Sequence, residues 1–145
     1  CYDLAVLGLA MDTNMKATLC EQTLDNACKA YPMLRGAIFH SDRGTQYTSK
    51  LYRKAISKYG ILQSMNNAGG RCHDNARCES MWARFKEELL YGRYDTTSMT
   101  VEQLKTLIWR YFISNWNNRR ICSANGGLPP MIKRKQYYDS LQEVA

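Results

Sequence analysis

The sequence predicts an α/β fold with at least one parallel pair of strands. Two observations carry this. Short apolar runs of strand length alternate with longer stretches whose apolar residues recur at helical spacing, in the order strand, helix, strand, helix, strand. The composition, 45% hydrophobic and 23% charged over 145 residues, suits one globular domain able to bury a core. The two crossovers are expected to be right-handed, and open sheets of this kind display chemistry beyond the carboxyl ends of their strands.

The elements follow in order. CYDLAVLGLAM (1–11) reads as a strand, rich in Leu, Val and Ala and closed by the polar DTN. MKATLCEQTLDNACKAYP (15–32) places Leu19, Thr23, Leu24, Ala27 and Cys28 at helical spacing, with Pro32 as the terminator. GAIFHS (36–41) is a second, buried strand. TSKLYRKAISKYG (48–60) is an amphipathic helix. Thr48 or Ser49 caps it, Leu51, Tyr52, Ala55, Ile56 and Tyr59 line its apolar face, and Gly60 stops it.

ILQSM (61–65) is a third strand, and NNAGGR (66–71) a loop made permissive by adjacent glycines. HDNARCESMWARFKEELL (73–90) is a helix capped by Asp74 or Asn75, with Cys78, Met81, Trp82, Phe85 and Leu89 on one face. A last long helix occupies TTSMTVEQLKTLIWRYFISNWNN (96–118), starting at Ser98 or Thr100, with Val101, Leu104, Leu107, Ile108, Tyr111 and Phe112 as its stripe. Trp82, Trp109 and Trp116 are expected in the core. A Gly/Pro break, GGLPP, and a short tail segment close the chain.

The apolar run 4–11 is far shorter than the roughly 20 residues a membrane span needs. The chain begins at Cys1 rather than at a methionine and is expected to be a fragment or a processed chain. Six cysteines without a C-x-x-C pair suit reduced thiols in a cytosolic protein. A zinc site on Cys72, His73 and Cys78 is disfavoured because the spacing fits no standard finger or knuckle. The formal net charge is +7, and residues 103–138 carry Lys105, Arg110, Arg119, Arg120, Lys133, Arg134 and Lys135 with no Asp or Glu. Interleaved with Trp109, Tyr111, Trp116, Tyr137 and Tyr138, these cations suit a nucleic-acid backbone with stacking side chains, or a solvated basic surface over an aromatic core.

Two carboxylates stand out. Asp42 follows the second predicted strand, where an open α/β sheet displays its chemistry. Glu79 lies one turn into the helix after the glycine loop, and Lys86 shares its helical face two turns on. If that helix packs beside the second strand, Asp42 and Glu79 converge. Converging carboxylates bind hard divalent ions such as Mg²⁺ or Mn²⁺, and two such ions can serve an in-line phosphoryl displacement. The plainer reading gives Asp42 a turn and Glu79 a solvated helix surface.

HSDRGTQYTS, YGILQSM, CHDNARCESMWARFKEEL and NWNNRR…GGLPP, in that order, strongly resemble bacterial insertion-sequence transposases with an integrase catalytic core. The resemblance covers roughly residues 4–138. It implies a ribonuclease-H-like fold and an Asp-Asp-Glu triad, to which Asp42 and Glu79 correspond as catalytic and metal-holding residues. It also implies two Mg²⁺ or Mn²⁺ ions in the complete site and double-stranded DNA, both element ends and target, as substrate.

Lys86 matches a family position that contacts DNA ends, and Arg43, Gln46, Arg119 and Arg120 are further candidates for DNA contact. Between Asp42 and Glu79 lie 36 residues, one more than is usual in the family. The run 1–11 corresponds to the third strand of that fold, so the first two strands and the first catalytic Asp are expected to be absent; Asp3 and Asp12 do not match it.

The resemblance thus divides the chain into a partial integrase core, 1–97, with Asp42 and Glu79, and a C-terminal helix and basic tail of the same domain, 98–145. It implies DNA cleavage and strand transfer, a homo-oligomer, and a cytoplasmic, nucleoid-associated location without a membrane span. Activity of the chain itself is left open, because the first Asp is absent. Two rivals stand beside this reading: a remnant that binds DNA without chemistry, and a ribonuclease-H-like nuclease, against which the NNRR…GGLPP tail argues.

Overall fold

Two of the three apolar runs meet as a ladder. In the computed structural model, which describes residues 2–66, 76–91 and 94–142, Ile38–Ser41 (β1) and Leu62–Met65 (β2) pair in parallel. The register runs from Ile38 opposite Leu62 to Ser41 opposite Met65. The chain divides into two compact units, residues 7–84 and residues 1–6 with 85–145.

In the first unit a helix, Ala17–Ala30 (α1), precedes β1, and the crossover to β2 is built from Thr45–Thr48 (α2) and Lys50–Lys58 (α3). Ser49 caps α3 by accepting the Tyr52 amide, as the sequence suggests. Gly60 takes φ +63° at the end of α3, a left-handed conformation open to glycine at little cost. The amphipathic faces of α1 and α3 meet. Leu24 and Cys28 from α1 and Tyr52, Ala55 and Ile56 from α3 are buried with Ile61, and Phe39, Tyr47 and Tyr59 pack against them. The parallel pair and its helical crossover fit the expected ribonuclease-H-like, α/β class.

Residues 2–11 differ from expectation: they form no strand. The reason is physical. A strand exists through its ladder, and here polar side chains take the place of a neighbouring backbone. Asn26 of α1 donates from Nδ2 to the Leu9 carbonyl at 2.9 Å. Gly8 lies so close to α1 that a Cβ would collide with the Thr23 carbonyl and with Ala27.

The helix Ala76–Phe85 (α4) falls in the first unit up to Arg84, and the second unit holds the elements that follow. This helix runs on as a π-helical turn, Lys86–Leu90, whose residues belong to the second unit. Val101–Trp109 (α5) likewise runs on as the π-helical stretch Arg110–Trp116. Thr100 starts α5 with a capping box, its hydroxyl accepting the Gln103 amide and the Gln103 side chain accepting the Thr100 amide.

Phe85, Tyr111, Phe112 and Trp116 form the buried aromatic centre, with Phe85 stacked on Phe112 at 5.1 Å, and Leu89 is also buried. The tail is no short segment. Pro130–Gln142 (α6) is a helix of 13 residues, and Pro130 stands at its first position, where a missing N–H costs nothing. Of the three tryptophans expected in the core, Trp116 is buried; Trp82 and Trp109 are 44% and 50% exposed.

NWNNRR…GGLPP has a structural task in this unit. Asn117 accepts the Val6 amide and donates to the Val6 carbonyl, each at 2.8 Å, as a neighbouring strand would. Trp116 donates from Nε1 to the Leu4 carbonyl, and Asn125 from Nδ2 to the Asp3 carbonyl. Asp3 is itself buried against Arg134 at 2.7 Å.

Candidate metal and DNA site

Asp42 follows β1 directly and is exposed. Its Oδ1 accepts the Gly44 amide at 2.9 Å, which folds the chain into a tight turn and aims the carboxylate off the strand end. Gly44 suits this turn, since a Cβ there would lie 3.0 Å from that oxygen. Both a turn-forming and a displayed carboxylate are thus present in one residue.

The β2 end braces the same turn. Arg43 donates from Nε to the Asn66 carbonyl at 2.8 Å, and the Asn66 amide donates to the Ser41 carbonyl. His40 bridges the strands, with Nδ1 3.0 Å from the Ser64 hydroxyl and Nε2 2.7 Å from Asn66 Oδ1. Gln46 donates to the Met15 carbonyl, which ties α2 to the approach to α1.

Beneath the turn lies an aromatic triad, Phe39, Tyr47 and Tyr52, with ring centroids 5.3 to 5.9 Å apart. Desolvation pushes the Tyr47 phenol up to about 12. Cys20 also reaches this region: burial and the Asp42 charge raise its thiol, while a hydrogen bond with Tyr47 lowers it.

Glu79 lies in the first turn of α4 and is exposed. Its neighbour Cys78 reports on the surroundings. The Cys78 thiol is raised first by desolvation and then by the charges of Glu79 and Asp42. These two carboxylates offer hard oxygen donors of the type Mg²⁺ and Mn²⁺ take. Among the described residues no three His, Cys, Asp or Glu side chains form a metal-ligating group. Their chemistry fits such an ion; their number makes a partial set.

Neither Asp3 nor Asp12 completes it. Asp3 is held by Arg134, and Asp12 closes its own turn by accepting the Thr13 amide at 2.6 Å and the Asn14 side chain at 2.8 Å. Asp74, Asn75, Cys72 and His73, proposed as helix caps or weighed as a zinc site, lie outside the described residues.

The remaining candidates for DNA contact belong to the second unit. Lys86 and Arg119 are exposed. Arg120 is engaged: its Nη1 donates to both Glu88 oxygens at 2.5 Å, and its guanidinium lies 5.0 Å from the Trp116 ring centre. Tyr111 donates to the same Glu88 at 2.8 Å. Sequence reasoning passed over the brace that Ser64 and Asn66 give His40, Arg43 and Ser41 beside Asp42. The polar residues of QSMN at a strand end were its only trace.

Comparison with known proteins gives the following. Residues 1–70 match the integrase core domain family. The chain is 31% identical over 136 residues to the transposase for insertion sequence element IS629 of Shigella sonnei, covering 94% of this chain and 44% of the relative. It is 32% identical over 126 residues to transposase InsF for insertion sequence IS3A of Escherichia coli K12, covering 87% and 42%. An uncharacterized 31 kDa protein of insertion element IS600 from Shigella sonnei is 30% identical over 138 residues, covering 94% and 49%. The chain spans a little under half the length of these curated relatives. Among the described residues no helix is long and apolar enough to cross a membrane.

Proposed function

This chain belongs to the integrase-core transposases of bacterial insertion sequences, and we propose that it is part of the catalytic core that cleaves element ends and transfers them to target DNA. The observation that supports the reading is the placement of two exposed carboxylates, Asp42 directly after a parallel strand and Glu79 in the first turn of α4. Asp42 and Glu79 would hold a divalent ion. The chemistry such ions supply when bound is activation of a water or 3′-hydroxyl and neutralisation of charge on the leaving 3′-oxygen.

The chain's own residues do the rest. The Gly44 amide orients the Asp42 carboxylate, and Arg43 and His40 lock the turn to β2. Lys86, Arg119 and Gln46 would meet the phosphate backbone, and Arg120 would add charge while anchored to Glu88. This reading requires a third carboxylate beyond Asp42 and Glu79. Double-stranded DNA is the substrate of this reading, and a second copy of the protein its partner.

A second reading has its own support. The two-carboxylate set among the described residues favours a chain that binds DNA without cutting it. A strand-transfer assay separates the two, using the longest protein that contains this chain and linear DNA bearing element ends. D42N and E79Q should each abolish Mn²⁺-dependent product while leaving DNA retention intact. Product formation unchanged in either variant contradicts the catalytic assignment.

A further inference from the structure

A cavity of about 260 Å³ in the second unit is lined by Tyr2, Asp3, Arg134, Tyr137 and Tyr138. The rings are not core residues, since Tyr2 is 59% and Tyr137 45% exposed. They are splayed: Tyr2 and Tyr137 meet at 5.3 Å with 52° between planes, and Tyr137 and Tyr138 at 5.7 Å with 60°. Splayed rings leave aromatic faces available.

The floor is fixed. Asp3 is buried against Arg134, its Oδ1 accepts the Ala5 amide, and its carbonyl accepts from Asn125. That pairing offsets the charge of both partners. The Lys133 ammonium lies over the Tyr2 ring, 5.4 Å from its centre, and sets positive charge beside this lining residue. Flat aromatic faces, a rigid base and an adjacent cation are what a nucleotide uses: base on ring, phosphate on ammonium.

We propose that this cavity takes one unstacked nucleotide of a DNA strand, its base against Tyr2 and Tyr137 and its phosphate near Lys133. Bases inside a duplex are stacked on one another and cannot reach these rings, so the ligand is a single-stranded or frayed segment. The inference rests on the reading that the chain acts on DNA, and it adds a place where a strand end or displaced base is held.

The test is fluorescence anisotropy on this chain with three probes: a labelled oligothymidylate, the same strand with abasic residues throughout, and a duplex. The base-bearing strand should bind about tenfold more tightly than the abasic one. Y137A should erase that difference and Y137F retain it. K133A should weaken both strands and lower the salt slope by about one. Equal binding of the base-bearing and abasic strands to the unmodified chain overturns the proposal, as does Y137A retaining the full difference. If the duplex still binds in that case, the DNA reading stands without the cavity. If no probe binds, both fall.

Discussion

Residues 4–11 and 36–41 are both short apolar runs with strand composition, yet only the second becomes a strand. The difference is the neighbour. Ile38–Ser41 has Leu62–Met65 beside it and forms a parallel ladder from backbone groups alone. Residues 4–11 have side chains instead: Trp116 at Leu4, Asn117 at Val6 and Asn26 at Leu9. An apolar run states a preference for extension and burial; a strand also requires backbone groups at its edge. The stability of β1 should therefore rest on its main chain, and that of residues 4–11 on a few named side chains.

This contrast can be broken experimentally, and the largest effect should come from Asn117. It is 3% exposed, and N117A strands both polar groups of Val6. The expected loss is about 2–4 kcal/mol in urea unfolding, from two lost hydrogen bonds and the desolvated groups they leave. Gly8 comes next. G8A forces a Cβ into α1 and should cost about 1–3 kcal/mol, read by the same titration. On the β1 side the cost should be lower: H40A removes two exposed cross-strand contacts, leaves the ladder intact and should cost about 1 kcal/mol or less. A loss for H40A as large as that for N117A would erase the distinction.

The smallest effect concerns pH. Asp25 on α1 is held down to about 2 by hydrogen bonds from Lys29 first, then Tyr59 and Lys58 of the region after and within α3. A carboxyl depressed in the folded state stabilises it above the ordinary value of about 3.9. That contribution should fade as pH falls from about 4 to about 2. Unfolding midpoints measured across this window should drop in the parent chain and flatten in D25N.

Much of the first unit was legible because its signals are local. The α3 cap at Ser49, its stop at Gly60, and the Leu24 and Cys28 face of α1 follow from residue type and helical spacing. The capping box at Thr100 and Gln103 was equally readable at the start of α5. What escaped depends on partners. Pro129 and Pro130 look like a break, yet Pro130 opens α6.

Trp82 and Trp109 carry core chemistry at helical spacing and still lie exposed, because spacing says which face is apolar and not what covers it. In the candidate site, Asp42 at a strand end and Glu79 in a first helical turn were readable. The Gly44 amide and the Asn66 carbonyl that shape the turn are products of folding.

The central claim is that Asp42 and Glu79 serve one divalent ion. The most direct measurement is a Mn²⁺ titration of the ¹⁵N-labelled chain, following paramagnetic broadening of backbone amides. Amides around Asp42 and around Glu79 should broaden together with one midpoint, and D42N should abolish both. Broadening at one carboxylate alone, or broadening around Glu79 that survives D42N, would contradict a shared site.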